Sequence, residues 1–502
     1  MAHFYAHKQY FYFVANKKEW LLKIPGIVVS GVTSGVGKTT ITMAIIHGLQ
    51  RKGYSVQPFK IGPDYIDPSY HNAISKKRSR NLDVWLMGRK GIIESFFNST
   101  QDSDFTVFEG VMGLFDGLSG RDNFASTAHV SRILDIPIVL VVDARKAARS
   151  LAAIALGFIK FDRQIKISGI IINHISSERH LKYITEAFQN KIKVPIIGTV
   201  FSNRENKLQE RHLGLIPTIE IDLDKITNLV ENAKKISHDI DIEKVIEIGK
   251  SKTRTGKGGS GRKLNSFNLE GSKKETKEKV NISIALDKSF NFYYKDNLEL
   301  LQKKAKIEFF SPIDNDGISR NSSGIIIGGG FPEIIADRLE KNSSMKKDIM
   351  RSAQDNMPIY AECGGLMYLT KSISGYKNKN KKYKMVGLFD AETIMTGKLT
   401  LGYTEAILNN SKTILGSITR IRGHEFHYSN IINNHKDIKL VYTLKRGKGI
   451  VDGYDGFYSN NCIASYMHTH FINSKISIVF ISIISSNLFL SNKGVSPVTL
   501  SP

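Results

Sequence analysis

The sequence predicts an α/β protein built from two doubly wound domains, and three observations carry that expectation. Between Ile27 and Pro217, apolar runs such as IVVSG, SVQPFKIG, FTVFEGVMG, IPIVLVVDA, ISGIIINH and VPIIGTV alternate with helical-length stretches. Short continuous apolar strands separated by helices indicate a parallel sheet covered on both faces. A second series of the same kind runs from ISIALD (282–287) through KIEFFSP, SGIIIGGG and MPIYAECGG to Ala464. Between the two lies a segment poor in large apolar residues, which from Lys250 to Val280 carries ten Lys or Arg against three Glu. It cannot bury enough surface to order itself and reads as a flexible linker.

The elements therefore fall in order as an N-terminal extension (1–25), a first domain (26–249), the basic linker (250–280), a second domain (281–475) and an atypical tail (476–502). A chain of 502 residues is long enough for roughly two to four domains of ordinary size. Hydrophobic residues at 41% and charged residues at 24% exclude a disordered or collagen-like chain. The longest uncharged apolar run, Ile476 to Leu490, falls short of the ~20 residues of a membrane span. It is expected to form a buried strand, or to be the product of a shifted reading frame. The N-terminus lacks the apolar core and cleavage site of a secretory signal, and the two cysteines exclude a disulfide framework. The protein reads as cytoplasmic. Its net charge of +24 fits nucleic acid, an anionic surface or a polyanionic small substrate. The linker and a lysine-rich stretch, YKNKNKKYK (376–384), hold a visible share of it, which leaves neither nucleic acid nor membrane as the natural partner.

Gly31 to Thr40 reads GVTSGVGKTT, directly after a strand and before a helical pattern. In that context Gly35 and Gly37 let backbone amides converge on phosphate oxygens, Lys38 reaches the β/γ phosphates, and Thr39, followed by Thr40, ligates Mg²⁺. The motif points to ATP. Glu109, after the run FTVF, sits at the carboxyl edge where such sheets bind ligands, and would hold Mg²⁺ directly or through water; the alternative is a turn carboxylate. KIGPDYIDPSYH (60–71) supplies Lys60, Asp64, Tyr65, Asp67 and His71. Its prolines also suit plain turns. Lys60, Arg78 and Arg80 would neutralise substrate carboxylates or phosphates, or stand as solvated charges. Asn173 would read an adenine edge or end its strand as a satisfied amide.

In the second half, MPIYAECGGLMYL puts Cys363 on a sharp turn between strand and helix, the geometry that exposes a nucleophile. The helix N-terminus is expected to lower its thiol pKa. His468 and His470 follow in ASYMHTHF, and a thiolate–imidazole pair supports acyl transfer through a thioester. Gly329 and Gly330 of GGGFPE, with Gly364, offer backbone amides for an oxyanion hole. Cys462 looks structural.

These segments, with RNLDVWLMG (80–88), ERHLGLIP (210–217), FNFYYKDNLELL (290–301) and RGHEFHYS (422–429), resemble the cobyrinic acid a,c-diamide synthase family over about residues 26–472. The resemblance implies an N-terminal dethiobiotin synthetase-like P-loop domain and a C-terminal class I glutamine amidotransferase domain. It implies amidation of the a and c acetate side chains of cobyrinic acid by glutamine and Mg-ATP, through an acyl phosphate. Cys363 would be the glutaminase nucleophile and His468 its base, with His470 the alternative. Class I amidotransferases carry a Glu two residues after the base; His470 stands there, so a Cys–His dyad is expected. The a,c-diamidation of nickel sirohydrochlorin is an enzymatic alternative. A P-loop switch ATPase that binds a partner or DNA is an alternative of another class; it predicts no role for Cys363 and a lysine early in the loop, where Val32 stands. Oligomeric state is not legible.

Overall fold

A computed structural model describes residues 24–189, 191–202, 210–211, 214–215, 223–251, 279–376, 381–409, 413–416, 418–433 and 438–491. Nearly all of the N-terminal extension and of the linker, half of ERHLGLIP, residues 377–380 of the lysine-rich stretch and the tail beyond residue 491 lie outside them.

The first domain holds seven parallel strands: β1 (Gly26–Gly31), β2 (Val56–Ile61), β3 (Arg80–Leu82), β4 (Phe105–Gly113), β5 (Ile138–Asp143), β6 (Ile167–Ile175) and β7 (Ile196–Phe201). Their order is β3-β2-β4-β1-β5-β6-β7. All six residues of β1 and of β2 are buried, because helices cover both faces. Alternation along the strands divides the core: Val28, Phe59, Phe108 and Leu140 pack on one face, Ile27, Val29, Val107 and Val139 on the other. That two-sided burial explains why the strands read as unbroken apolar runs. The strand order reverses at β1, so a crevice opens at the carboxyl ends of β1 and β4.

The second domain is built on a twelve-stranded mixed sheet. Five parallel strands, in the spatial order Lys306–Phe310, Asn281–Ala285, Gly324–Ile327, Ile359–Glu362 and Cys462–Ser465, form one part. Antiparallel strands extend it, among them the long pair Phe389–Leu408 and Arg420–Asn433. Cys462 is fully buried in its strand.

The tail departs from expectation. Ile476–Ser491 is a helix, neither a strand nor a segment without a place in the fold. Ile476, Phe480, Ile481 and Ile484 recur at helical spacing and are buried, while Ile478 is exposed. Gly324 admits the helix closely: a Cβ there would come within 2.5 Å of Ile484 Cδ1. The run has no charged residues to mark its outer face, so its periodicity is carried by serines and is weak in sequence. No described helix is long and apolar enough to cross a membrane.

The two domains meet through named side chains. Arg80, after the first-domain helix Asp67–Ser75, donates to Asp296 at 2.6 Å and, through both terminal nitrogens, to Glu299 at 2.9 and 2.8 Å. Ser95 donates to the other oxygen of Asp296 at 2.9 Å. Trp85 Nε1 donates to the Thr404 carbonyl at 3.1 Å, and the Arg422 guanidinium lies over its ring at 4.4 Å. Tyr403 donates to Asp83 at 2.6 Å. These groups are largely buried, so the junction is a polar core rather than a loose contact.

Candidate functional site

The loop after β1 is shaped by Gly35 and Gly37, whose φ values of 73° and 87° are ones that other residues rarely adopt. The helix Lys38–Arg51 starts on it, so its unpaired amides face the loop. Lys38 folds back to donate to the Thr33 carbonyl at 3.1 Å. Burial first, and the Lys60 ammonium second, lower its pKa to about 8, against the pull of Glu109 and other carboxylates. Thr40 follows, half-buried, on the same helix.

Beside the cradle, Thr39 Oγ1 donates to Glu109 Oε1 at 2.8 Å. Lys60 donates to the same oxygen at 2.9 Å, and His71 Nε2 pairs with Oε2 at 2.6 Å. Burial raises the Glu109 pKa, but Lys60 and His71 outweigh it and hold the carboxyl well below the usual range. Lys60 also pairs with Asp67 and lies 3.7 Å from Asp64. One ammonium thus serves three carboxylates, and burial with the neighbouring Asp64 pushes the Asp67 pKa up. The hydroxyl of Thr39 and the carboxylate of Glu109 are hard oxygen donors that fit magnesium. Among the described residues no cluster of three or more His, Cys, Asp or Glu could hold a metal, so an ion here would also need phosphate oxygens.

Asn173 does not stand free at its strand end. Its amide nitrogen donates to the Val36 carbonyl at 2.9 Å, and a Cβ on Gly37 would come within 2.3 Å of it. The side chain braces the phosphate loop. Arg78 is exposed. Arg80 lies at the domain junction: its guanidinium pairs with Asp296 and Glu299 of the other domain, carboxylates over 200 residues away that no local pattern pairs with it.

Tyr65 leaves the first domain altogether. Its ring stacks on Phe292 at 4.9 Å and 4°, and lies 5.3 Å from the His468 ring and 5.7 Å from that of His424. Asp64 shapes this loop by accepting from the amides of Ile66 and Asp67, and Asn81 ties it down by donating to the carbonyls of Gly62 and Asp64. Asn81 escaped the sequence reading, although RNLDVWLMG contains it.

Cys363 ends the strand Ile359–Glu362 with φ 47° and ψ −98°, a strained conformation for a residue with a side chain. The short helix Gly364–Leu369 follows at once. A Cβ on Gly364 would lie 3.0 Å from the Gly330 nitrogen, so the two glycine backbones touch; one on Gly329 would come within 2.3 Å of His468 Cε1. Gly329 therefore lies against the imidazole, and Gly330 against Gly364, the residue that follows the thiol. The thiol donates to the Phe426 carbonyl at 3.5 Å. Its pKa is raised, not lowered: burial dominates, the Glu333 carboxylate adds to it, and the Gly364 amide offsets only part. A six-residue helix is too short to reverse that.

His468 lies three residues beyond Ser465, which pairs with Glu362 in the sheet, and it is fully buried. Burial, then His424 and His427, press its pKa well below the usual imidazole value. His424 stacks on it at 4.9 Å. His470 turns the other way, 3.7 Å from Asp296 at the domain junction, with Nδ1 accepting from the Ile472 amide. Of the two histidines, His468 is the one beside Gly329, while His470 faces the domain junction.

Residues 27–216 match the family of CobQ/CobB/MinD/ParA nucleotide binding domains, and residues 281–476 the CobB/CobQ-like glutamine amidotransferase domains. Three relatives, each named cobyrinate a,c-diamide synthase, align along nearly the whole chain. That of Methanosphaera stadtmanae is 39% identical over 88% of this chain and 95% of its own. That of Caldanaerobacter subterraneus subsp. tengcongensis is 36% identical over 89% and 95%, and that of Methanosarcina barkeri 38% over 91% and 94%. A nucleotide-binding domain joined to a glutamine amidotransferase domain makes this a glutamine-dependent amidating ligase that uses ATP. The chain belongs to the cobyrinate a,c-diamide synthase family.

Proposed function

We propose that this protein amidates the a and c carboxylates of cobyrinic acid, with glutamine as nitrogen donor. The observation that carries the reading is the loop Gly62–Asp67. Its aspartates contact Lys60 beside the phosphate cradle, while Tyr65 between them lies against His468. One short segment thus touches both a phosphoryl-transfer site and a thiol–imidazole site, as sequential chemistry requires.

In this reading, Lys38 and the loop amides hold the β and γ phosphates of ATP, with Asn173 keeping the loop in shape. Thr39 and Glu109 would hold magnesium, which supplies charge neutralisation for the phosphates. Lys60, Asp64, Asp67 and His71 line the place where a substrate carboxylate attacks the γ phosphorus; ADP leaves and an acyl phosphate remains. In the other domain, His468 removes the Cys363 proton, the thiolate attacks the glutamine carboxamide carbon, and amides of Gly329, Gly330 and Gly364 stabilise the oxyanion. The proton passes from His468 to the departing ammonia, and water hydrolyses the thioester to glutamate. Ammonia then displaces phosphate from the acyl phosphate. A carboxylate is a poor electrophile until one oxygen becomes such a leaving group.

The test is to supply the purified protein with glutamine, Mg-ATP and either cobyrinic acid or nickel sirohydrochlorin, alone and in competition. The reading expects ADP, glutamate and a diamide of cobyrinic acid. Turnover of the nickel compound alone would contradict it.

A further inference from the structure

We infer that Glu362, the residue before Cys363, is the positioning residue for His468: it takes the place of the carboxylate that the sequence lacks at position 470. The inference rests on the proposed roles of Cys363 and His468 and deepens them.

Glu362 Oε1 accepts three hydrogen bonds, from Tyr360 Oη at 2.8 Å, the Thr469 amide at 3.1 Å and Thr469 Oγ1 at 2.7 Å. Two of these donors come from the residue next to His468 in sequence. They fix the carboxyl group and leave Oε2 at 3.8 Å from His468 Nδ1. Both ring nitrogens of His468 are buried without a hydrogen-bond partner. A buried imidazole aimed at a clamped carboxyl group is an unfinished pair, and such contacts are commonly long before substrate binds and tighten afterwards. His470, which stands at the usual position of the third residue, is engaged at the domain junction instead. The sequence reading of a dyad did not include Glu362, because its place beside His468 follows from the parallel pairing of Ile359–Glu362 with Cys462–Ser465.

A proton on Nδ1 shared with Glu362 leaves Nε2 as the basic nitrogen, and the imidazolium formed when the thiol ionises then faces an anion. Burial raises the Glu362 pKa to about 7, against the hydrogen bonds from Thr469 and Tyr360, so its charge is adjustable near neutral pH. The other titratable groups facing His468 are His424, stacked on its ring, Tyr65 and His427. Burial lowers the His424 pKa to about 3, so it stays neutral across that range.

Glu362→Gln keeps the shape and removes the charge. The expected result is a loss of about 100-fold in kcat for glutamine hydrolysis, with the rise of kcat near pH 7 abolished. Amidation driven by free ammonia should stay within about twofold, because that route bypasses His468. Glu362→Asp should restore the pH-dependent rise with part of the rate. An unchanged rate and pH profile in Glu362→Gln overturns the inference. So does a parallel fall of the glutamine- and ammonia-driven reactions, in both Glu362→Gln and Glu362→Asp, since that marks a structural residue. Cys363→Ser is assayed alongside: if it still hydrolyses glutamine, the parent assignment fails, whereas its loss beside an unaffected Glu362→Gln defeats only the role of Glu362.

Discussion

Replacing Arg80 with alanine separates two accounts of that residue. The guanidinium makes three hydrogen bonds of 2.6–2.9 Å to Asp296 and Glu299 across the junction. Burial raises the Asp296 pKa, but His470 and Arg80 outweigh it and leave it below the ordinary value. Its carboxylate therefore stabilises the fold at neutral pH, and that contribution is lost as pH falls through the lowered pKa. Removing one member of a buried charge cluster strands the others and costs about 3–5 kcal/mol. With a urea m-value of about 3 kcal/mol/M, the transition reporting the junction should move down by about 1 to 1.7 M. Trp85 reports it directly, because its indole donates to Thr404 of the other domain. Urea titration followed by Trp fluorescence is the assay. Adding Asp296→Asn and Glu299→Gln to Arg80→Met should recover much of the loss, since no charge is then stranded. An unchanged midpoint with a steep rise in KM for the tetrapyrrole would refute the clamp and restore Arg80 as a substrate contact.

Other outcomes follow from the same geometry. The lowered Lys38 pKa predicts ATP affinity that is constant below about pH 8 and weakens above it, by up to tenfold per pH unit, because phosphate binding needs the protonated amine. Lys38→Arg should remove that bend, and Lys38→Ala should abolish amidation with either nitrogen source; isothermal titration and turnover assays check both. Cys363→Ser should lose glutamine-driven amidation yet keep the ammonia-driven reaction, read as ADP released per amide formed. Phe480 is buried in the tail helix against the sheet, 6.4 Å between its ring and that of Tyr360. Phe480→Ala should cost about 3–5 kcal/mol in denaturant titration; a change near zero would mean that the tail contributes no packing.

What the sequence disclosed was whatever is encoded over short spans. The phosphate loop is ten consecutive residues, and the turn at Cys363 is a strand end followed by two glycines, so chemistry and backbone geometry are written together. The alternating apolar runs likewise disclosed the parallel sheet of the first domain and the parallel part of the mixed sheet of the second. Contacts between distant segments were hidden. Nothing near Arg80 names Asp296 as its partner, and nothing in GPDYIDPSYH says that Tyr65 crosses to the other domain while its neighbours stay. The position of Glu362 against His468 depends on the parallel pairing of two strands about 100 residues apart, which a linear spacing cannot convey. The tail misled for another reason: a helix packed through isoleucines and phenylalanine, with serines in place of charges, has the composition of a strand. The switch-ATPase alternative fails because it left the strained thiol and the whole amidotransferase domain without a task.

The central claim is that ATP activates a substrate carboxylate and that the amide nitrogen comes from glutamine. It is tested most directly by mass spectrometry of the products formed from carboxylate-¹⁸O cobyrinic acid and amide-¹⁵N glutamine. The account predicts ¹⁵N in each new carboxamide and one ¹⁸O transferred to inorganic phosphate for each amide formed. Phosphate free of ¹⁸O, with amide still produced, would contradict it.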